Sequence, residues 1–387
     1  MTAGAGRGPG RSGAPGSRDT ALRRVVEDVV AVLPAWVVAR VLLTAAYVVA
    51  VAAADRLTPG ADPSALREGL VAWDGTWYRD LAQGGYGSLP DEALRFFPLF
   101  PLAGRMLGLL LGGHDALALV LLANVASLAF AVGVRRLVLA EGRSRAVAER
   151  AVWYTALFPS AFVLAWAYAE AVMLAAVVAA FAGARRGRWW WTALAGVVAG
   201  ATRPLGLLLV VPVGLEALRA WRHSSARTRL AAVLATGAPA VGTGLYLTWV
   251  RISYGDALLP FTVQGDLRGD TVDPLRRLVD GVGDLLGPER FGDGLHLPFA
   301  VGFLALLVLT FRCWPASYGA YAAAVLVVSL AAENLNSLER YGLNAVPLVL
   351  TLAVLARDPR VDRGVLAVSA AGFVALASLA WLGAYVP

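Results

Sequence analysis

The chain has 387 residues, of which 58% are hydrophobic and 16% are charged, with a formal net charge of +7. A soluble domain of this length carries about 25% charged residues, so the composition excludes an ordinary soluble protein and indicates a polytopic helical membrane protein. One cysteine and three scattered histidines exclude an internal disulfide and show no metal-ligand spacing.

Residues 1–30 are rich in Gly, Ala and Arg, and their composition predicts a disordered cytoplasmic tail. The first apolar run, 31–54, is too long for the apolar region of a signal peptide and predicts a signal anchor. Residues 31–387 are then interpreted as one polytopic membrane domain. We predict eleven transmembrane helices, near 31–54, 116–134, 151–166, 170–184, 189–201, 204–219, 229–250, 298–311, 315–332, 343–356 and 364–386.

The apolar segment 97–112 is left out of this set. It contains two prolines and Arg105 in mid-run, so we interpret it as lying along the membrane interface, with a spanning helix as the alternative. If it does not span, most arginines fall inside and most acidic residues outside, as the positive-inside rule requires. The N-terminus is then cytoplasmic, and long outer loops cover 55–115 and 251–297. Because topology explains the basic charge, no nucleic-acid partner is expected.

Polar residues that do not belong in lipid fall at the outer face in this topology. The first outer loop contains WDGTWYRD, in which Trp73 and Trp77 flank Asp74. Ionisable residues at membrane depth are functional candidates by default. Each has a structural alternative: a solvated loop carboxylate for Asp74, a helix-end charge for Glu170, and snorkelling side chains for Arg203 and Arg340.

Six sequence blocks follow one another in the order of a known family. They are WDGTWYRDLAQGGYG, RFFPLFPLAGRML, ALFPSAFVLAWAYAEAV, RRGRWWWTALAGVVAGATRPLGLLL, GDALLPFTVQ and ERYGLNAVPL. The chain resembles the GPI mannosyltransferase 2 (PIG-V-like) family over residues 30–356, and bacterial, many of them actinobacterial, members look closest. The family belongs to the GT-C glycosyltransferases, so the resemblance implies an all-α multi-helix membrane bundle with interfacial helices in its first outer loop.

The resemblance also implies the substrates and the site. The donor is a polyprenyl-phosphate-linked sugar, usually mannose, and Asp74 aligns with an essential acidic residue of the first outer loop. Ala169 replaces the Thr of the family's Tyr-Thr-Glu block, and a Trp that relatives often carry after the matched glutamine is missing. The other matched positions, which we assign to substrate binding, are Tyr168, Glu170, Arg203, Gln264, Arg340 and Tyr341.

Elementary chemistry is consistent with this assignment. A carboxylate in hydrogen-bond reach of an acceptor hydroxyl can take its proton as the glycosidic bond forms, and we expect partial desolvation to raise the basicity of Asp74. Arg203 or Arg340 would stabilise the phosphate that leaves. The rings of Trp73, Trp77 and Tyr78 offer apolar faces for the sugar or the prenyl chain. Because no acidic cluster resembles a metal site, no metal or other cofactor is expected.

Two other functions stay open at this point. A flippase or transporter of lipid-linked sugars would also have outward-facing polar residues, although the sequence lacks the internal repeats of many transporters. A catalytically inactive partner of another transferase would keep the fold. The expected partners are membrane lipids, the lipid-linked donor, and a glycolipid, polysaccharide or protein acceptor.

Overall fold

The computed structural model describes residues 17–57, 63–269, 271–287 and 292–387. These residues form seventeen α-helices and no β-sheet; the only strand-like pairing among them is an isolated bridge between Thr271 and Ala332. The prediction of an all-α protein is therefore confirmed. The helices are α1 (Ser17–Leu57), α2 (Ser64–Glu68), α3 (Asp74–Gly84), α4 (Leu99–Leu110), α5 (Asp115–Ala140), α6 (Arg145–Ala156), α7 (Glu170–Arg185), α8 (Trp189–Thr202), α9 (Val210–Ala220), α10 (Ala226–Tyr254), α11 (Leu259–Arg268), α12 (Pro274–Leu286), α13 (Leu297–Cys313), α14 (Ala316–Leu330), α15 (Leu338–Asn344), α16 (Val346–Leu355) and α17 (Pro359–Trp381).

Six helical segments of the described chain are long and apolar enough to cross a membrane. α15 and α16, whose axes are bent by 76° relative to each other, add a seventh candidate span if the two helices cross the membrane together. The coarser prediction of a multi-pass membrane protein is thus confirmed. The six segments are Arg23–Ala54, Asp115–Ala140, Pro204–His223, Ala226–Tyr254, Asp293–Cys313 and Pro359–Trp381.

Three predicted boundaries are wrong. α1 begins at Ser17, so residues 17–30 are helical rather than part of a disordered tail; residues 1–16 lie outside the described chain. The predicted helix 151–166 ends at Ala156 because Pro159 follows two residues after its C-cap and disfavours helical geometry before it. The predicted helix 343–356 is split at Ala345, which has a non-helical backbone just before Pro347.

The segment 157–169, which replaces the end of the predicted helix, is irregular apart from a short 3-10 turn and is buried along nearly its whole length. Irregular backbone is tolerated at membrane depth only where protein surrounds it. Here the amide of Ala167 donates to the carbonyl of Leu70 at 2.8 Å, and the side chain of Asn124 donates to the carbonyl of Ala165 at 3.0 Å. These bonds tie the segment to the loop that precedes α3 and to α5.

The first long loop is built from helices. α4 contains twelve residues, about 18 Å at 1.5 Å per residue. The hydrocarbon core of a bilayer is about 30 Å thick, so α4 is too short to cross it alone. Arg105 of α4 forms a 2.9 Å ion pair with the buried Asp115 at the start of α5.

α8 and α10 approach each other very closely, with glycines at the contact. A Cβ on Gly200 would lie 2.1 Å from the carbonyl oxygen of Pro239, and a Cβ on Gly242 would lie 2.3 Å from the carbonyl oxygen of Val197. Only glycine fits such contacts. This packing fixes the C-terminal end of α8, where Arg203 follows.

α7 separates two charged clusters. It begins at Glu170 and ends at Arg185, about 22 Å apart along the helix axis at 1.5 Å per residue. At the Arg185 end, the buried carboxylate of Glu216 accepts hydrogen bonds from Arg185 at 3.2 Å, from Arg219 at 2.7 Å and from Ser317 at 2.6 Å. The other end of α7, at Glu170, lies behind the wall of the cavity described below.

Candidate functional site

A cavity of about 770 Å³ lies between α3, α11, α15 and the end of α17. This volume is within the range of small-molecule binding sites, about 300–1,000 Å³. Eight of the ten site residues predicted from the sequence line it, although they come from four separate parts of the chain. They are Trp73, Asp74, Trp77, Tyr78, Arg203, Gln264, Arg340 and Tyr341.

Asp74 begins α3 directly after a strained residue. Trp73 has φ of 57°, in the left-handed region that a bulky side chain rarely adopts. The indole Nε1 of Trp73 donates to the carbonyl of Ala380 in α17 at 2.8 Å, and Thr76 Oγ1 donates to the carbonyl of Trp73 at 2.8 Å. The amide of Asp74 donates to the hydroxyl of Tyr168 at 3.3 Å. These contacts hold the carboxylate at the cavity wall.

Arg340 in α15 is the partner of this carboxylate. Its Nη1 donates to Oδ2 of Asp74 at 2.8 Å, and its Nη2 donates to Oγ of Ser337 at 3.3 Å. Ser337 precedes α15 with φ of 66°, and it and Trp73 are the only non-glycine residues of the described chain with positive φ. Both line the cavity. Backbone strain that persists in a folded protein concentrates at functional sites, so the two outliers support a functional role for this cavity.

Glu170 and Tyr168 lie behind the cavity wall. Both side chains are fully buried, and neither lines the cavity, although the sequence predicts direct substrate binding for both. Glu170 forms a close ion pair with Arg203 and a second one with Arg340 at 3.1 Å. The four charges therefore alternate in a row, Asp74–Arg340–Glu170–Arg203, with Glu170 between the two arginines.

A third arginine was missed by the sequence reasoning. Arg95 lines the same cavity, with its guanidinium 5.6 Å from the ring centroid of Trp77 and 4.6 Å from that of Phe96. Its position directly before the FFPLFP block was the available signal. Three guanidinium groups thus accompany Asp74 and the buried Glu170, while the further carboxylate of the lining, Glu68, is paired with Arg79. The Nε atoms of Arg95, Arg203 and Arg340 have no hydrogen-bond acceptor within the described residues. This arrangement favours an anionic ligand.

The basicity expected for Asp74 is wrong in sign. Burial alone raises the pKa of Asp74, but the positive charges of Arg340, Arg203 and Arg95 outweigh it, and the pKa lies below its ordinary value. The side chain keeps 21% of its surface exposed, so it remains in reach of a ligand. Asp74 is therefore ionised at neutral pH and is a weak base as long as its ion pair with Arg340 is intact.

The remaining cavity wall is mostly apolar. Gln264 and Asn334 contribute amides there, and Gln264 comes from the half-buried side of α11. A charged end and an apolar end in one cavity suit a ligand that combines an anionic group with an apolar chain. The apolar lining residues of this part are Pro260, Phe261, Leu267, Val328, Leu382 and Val386.

No group of three or more His, Cys, Asp or Glu side chains with metal-binding geometry occurs in the described part of the chain. His296 is buried and its Nδ1 lies 2.8 Å from Oε1 of Glu339, whose Oε2 also accepts from the hydroxyl of Tyr385 at 2.9 Å. Glu339 directly precedes Arg340 in the sequence, so its contacts with His296 and Tyr385 hold the start of α15 in place.

Comparison with known proteins adds no assignment: no family model matches the chain, and no curated protein matches its sequence.

Proposed function

We propose that this protein is a GT-C-type membrane glycosyltransferase, similar to the PIG-V-like mannosyltransferases. It would transfer a sugar, with mannose as the first choice, from a polyprenyl-phosphate-linked donor to an acceptor hydroxyl with inversion. The observation that carries the proposal is the Asp74–Arg340 pair, 2.8 Å apart, in a cavity of about 770 Å³ with two further guanidinium groups. Such a site offers one base and several phosphate ligands.

The proposed topology has eleven spans, in which α6 crosses together with the buried segment 157–169, a cytoplasmic N-terminus and the active site at the outer face of the cell membrane. Support comes from helix ends: Glu170 begins α7, Arg203 follows α8 and Arg340 lies in the first turn of α15. These ends meet at one side of the bundle. Arginines cluster around the connections that follow α5 and α7, at the other ends of those helices, which the positive-inside rule assigns to the cytoplasm.

The proposed reaction is a single displacement. The acceptor oxygen attacks the anomeric carbon from the face opposite the phosphate, and the new bond forms as the bond from that carbon to the phosphate oxygen breaks. Asp74 takes the proton of the acceptor hydroxyl. The polyprenyl phosphate leaves with the bonding electron pair, and the guanidinium groups of Arg203, Arg340 and Arg95 stabilise its added negative charge. One carboxylate in the reacting position is sufficient for this step.

The ion pair of Asp74 gives donor binding a second role. When the donor phosphate binds, it competes with Asp74 for the guanidinium of Arg340. Asp74 then loses part of the positive field that lowers its pKa, so its basicity rises once the donor is in place. Glu170, fully buried and paired with Arg203 and Arg340, keeps both arginines in position during this exchange.

The direct test uses the purified full-length protein in detergent or nanodiscs with radiolabelled polyprenyl-phosphate-mannose and a broad acceptor extract. The proposal predicts label in a product that no longer extracts with the donor. Polyprenyl-phosphate-glucose in a parallel assay identifies the sugar. An absence of transfer from every polyprenyl-linked sugar, by protein that binds the donor, would overturn the proposal.

One observation favours a second function, the transport of lipid-linked sugars. The bend of 76° between α15 and α16 resembles the broken helices that form substrate sites in many transporters, and Arg340 lies on α15. Proteoliposomes with labelled donor in one leaflet distinguish the two functions. Movement of unmodified donor between leaflets without transfer would identify a transporter. The absence of both transport and transfer would favour an inactive partner of another transferase.

A further inference from the structure

α12 (Pro274–Leu286) has an apolar stripe that nothing in the described chain covers. Leu275, Val279, Val282 and Leu286 are 74%, 71%, 49% and 82% exposed. At 3.6 residues per turn these four positions fall within an arc of about 60°. An exposed aliphatic stripe of this regularity indicates contact with an apolar phase or partner.

The rest of α12 divides into two further sides. Next to the stripe, Arg276 and Asp280 form an exposed ion pair with side chains 81% and 57% accessible. On the buried side, Arg277 forms ion pairs with Asp284 at 2.9 Å and with Asp293 at 2.5 Å. α12 therefore presents one side to protein, one to water and one that is apolar and exposed.

Both ends of α12 are fixed to apolar helices. Before its first turn, the amide of Val272 donates to the carbonyl of Ala331, directly after α14, at 2.9 Å. In its second half, a Cβ on Gly281 would lie 3.3 Å from the side chain of Leu297, the first residue of α13. α12 thus lies across the C-terminal end of α14 and the N-terminal end of α13, and α13 belongs to a candidate membrane span.

We infer that α12 lies in the membrane–water interface, with the stripe Leu275–Val279–Val282–Leu286 inserted into the lipid surface. The apolar surface continues onto α13, where Val301 and Val308 are 57% and 56% exposed. A helix with one apolar and one charged side at the end of a span has the pattern of interfacial helices. A position in the interface explains both exposed sides of α12. The apolar stripe contacts lipid, and the ion pair of Arg276 and Asp280 stays in water. The inference does not depend on the proposed activity.

The test uses site-directed spin labelling, for which the chain is well suited because it has one cysteine. Cys313→Ser gives a cysteine-free background, and single cysteines replace Leu275, Val279, Val282 and Leu286. Matched controls on the same helix are Arg276→Cys and Asp280→Cys. Each labelled protein is placed in nanodiscs of phosphatidylcholine and phosphatidylglycerol, and collisions with oxygen and with a water-soluble nickel chelate are measured.

Insertion predicts high oxygen and low nickel accessibility at the four stripe positions, and the reverse at the two controls. High nickel accessibility at the stripe would place it in water and overturn the inference. Low accessibility to both reagents would indicate contact with protein, such as a second copy, and would overturn it equally. All six sites are exposed, so labels there leave the core intact; four separate stripe positions keep the pattern readable if one variant fails to fold.

Discussion

Arg340 and Asp74 form an ion pair of 2.8 Å between residues that are 266 positions apart in the chain. Their side chains keep 10% and 21% of their surface exposed, so the pair is at the wall of the cavity and is largely withdrawn from water. The proposed base and a proposed phosphate ligand are therefore each other's partners before substrate arrives. Binding of an anionic donor must divide the charge of Arg340 between phosphate and carboxylate.

Replacing Arg340 by Lys should lower kcat/KM by about 10²-fold, the usual cost of one electrostatic donor at a reacting centre. Nη1 of Arg340 reaches both Asp74 and Glu170 while Nη2 reaches Ser337, and the single ammonium of lysine cannot reproduce this fork. Steady-state transfer kinetics provide the measurement.

Arg79→Lys is the control for this substitution. Arg79 also joins two carboxylates, at 2.7 Å and 2.8 Å, but on the more exposed side of α3. We expect kcat/KM of the Arg79→Lys variant to stay within about threefold of the wild-type value, because exposed ion pairs contribute little free energy. Equal losses in the two variants would contradict a special role for Arg340.

The lowered pKa of Asp74 predicts where pH matters. Asp74 is ionised above its ordinary pKa of about 3.9, so the free energy from its ion pair is fully present there and is lost only as pH falls through the lower folded-state pKa. Between pH 5 and 8, kcat/KM should therefore show no acid limb from Asp74. Because bound donor competes for Arg340, the limb of kcat should lie at higher pH than that of kcat/KM. A limb of kcat/KM near pH 6.5 that disappears in Asp74→Asn would contradict this account.

Glu170→Gln and Glu216→Gln form a matched pair, because each glutamate is buried and joins two arginines at opposite ends of the bundle. Removing one partner of a buried ion pair costs about 3 kcal/mol, so both variants should melt at lower temperature than wild type. Only Glu170→Gln should lose activity per folded molecule.

The same pair of variants separates a positioning role from a purely structural one. Polyprenyl phosphate supplies negative charge to Arg203 and Arg340, so it should raise the melting temperature of Glu170→Gln more than that of wild type or Glu216→Gln. Equal stabilisation of all three proteins would show that Glu170 has no link to the anion site.

The sequence was sufficient for the parts of this structure that depend on local pattern. Apolar runs located most helices, and the WDGTWYRD block together with the helix-junction residues Arg203 and Arg340 identified most of the cavity wall. Long-range contacts decided the rest. Nothing local indicates that Asp74 meets Arg340, so the direction of its pKa shift was predicted wrongly.

Other misses have the same physical origin. The helix predicted to reach residue 166 ends at Ala156, before Pro159, and the buried segment after it finds hydrogen-bond partners in other elements. Arg95 reads as an ordinary loop arginine until the fold brings it over Trp77. α12 carries its apolar stripe inside a loop of mixed composition, where its exposed surface, rather than its hydropathy, reveals the pattern.

The central claim is that Asp74 is the base, and Asp74→Asn tests it most directly. Asp80→Asn is the control, since Asp80 lies on the same helix and pairs with Arg79 outside the cavity. Transfer of radiolabelled mannose from polyprenyl-phosphate-mannose would be compared among wild type and the two variants, with donor binding and elution profile as checks of folding. We predict a loss of about 10²–10⁴-fold for Asp74→Asn with donor binding retained, and near wild-type transfer for Asp80→Asn. Transfer by Asp74→Asn within about threefold of wild type would contradict the account and assign proton removal to another group.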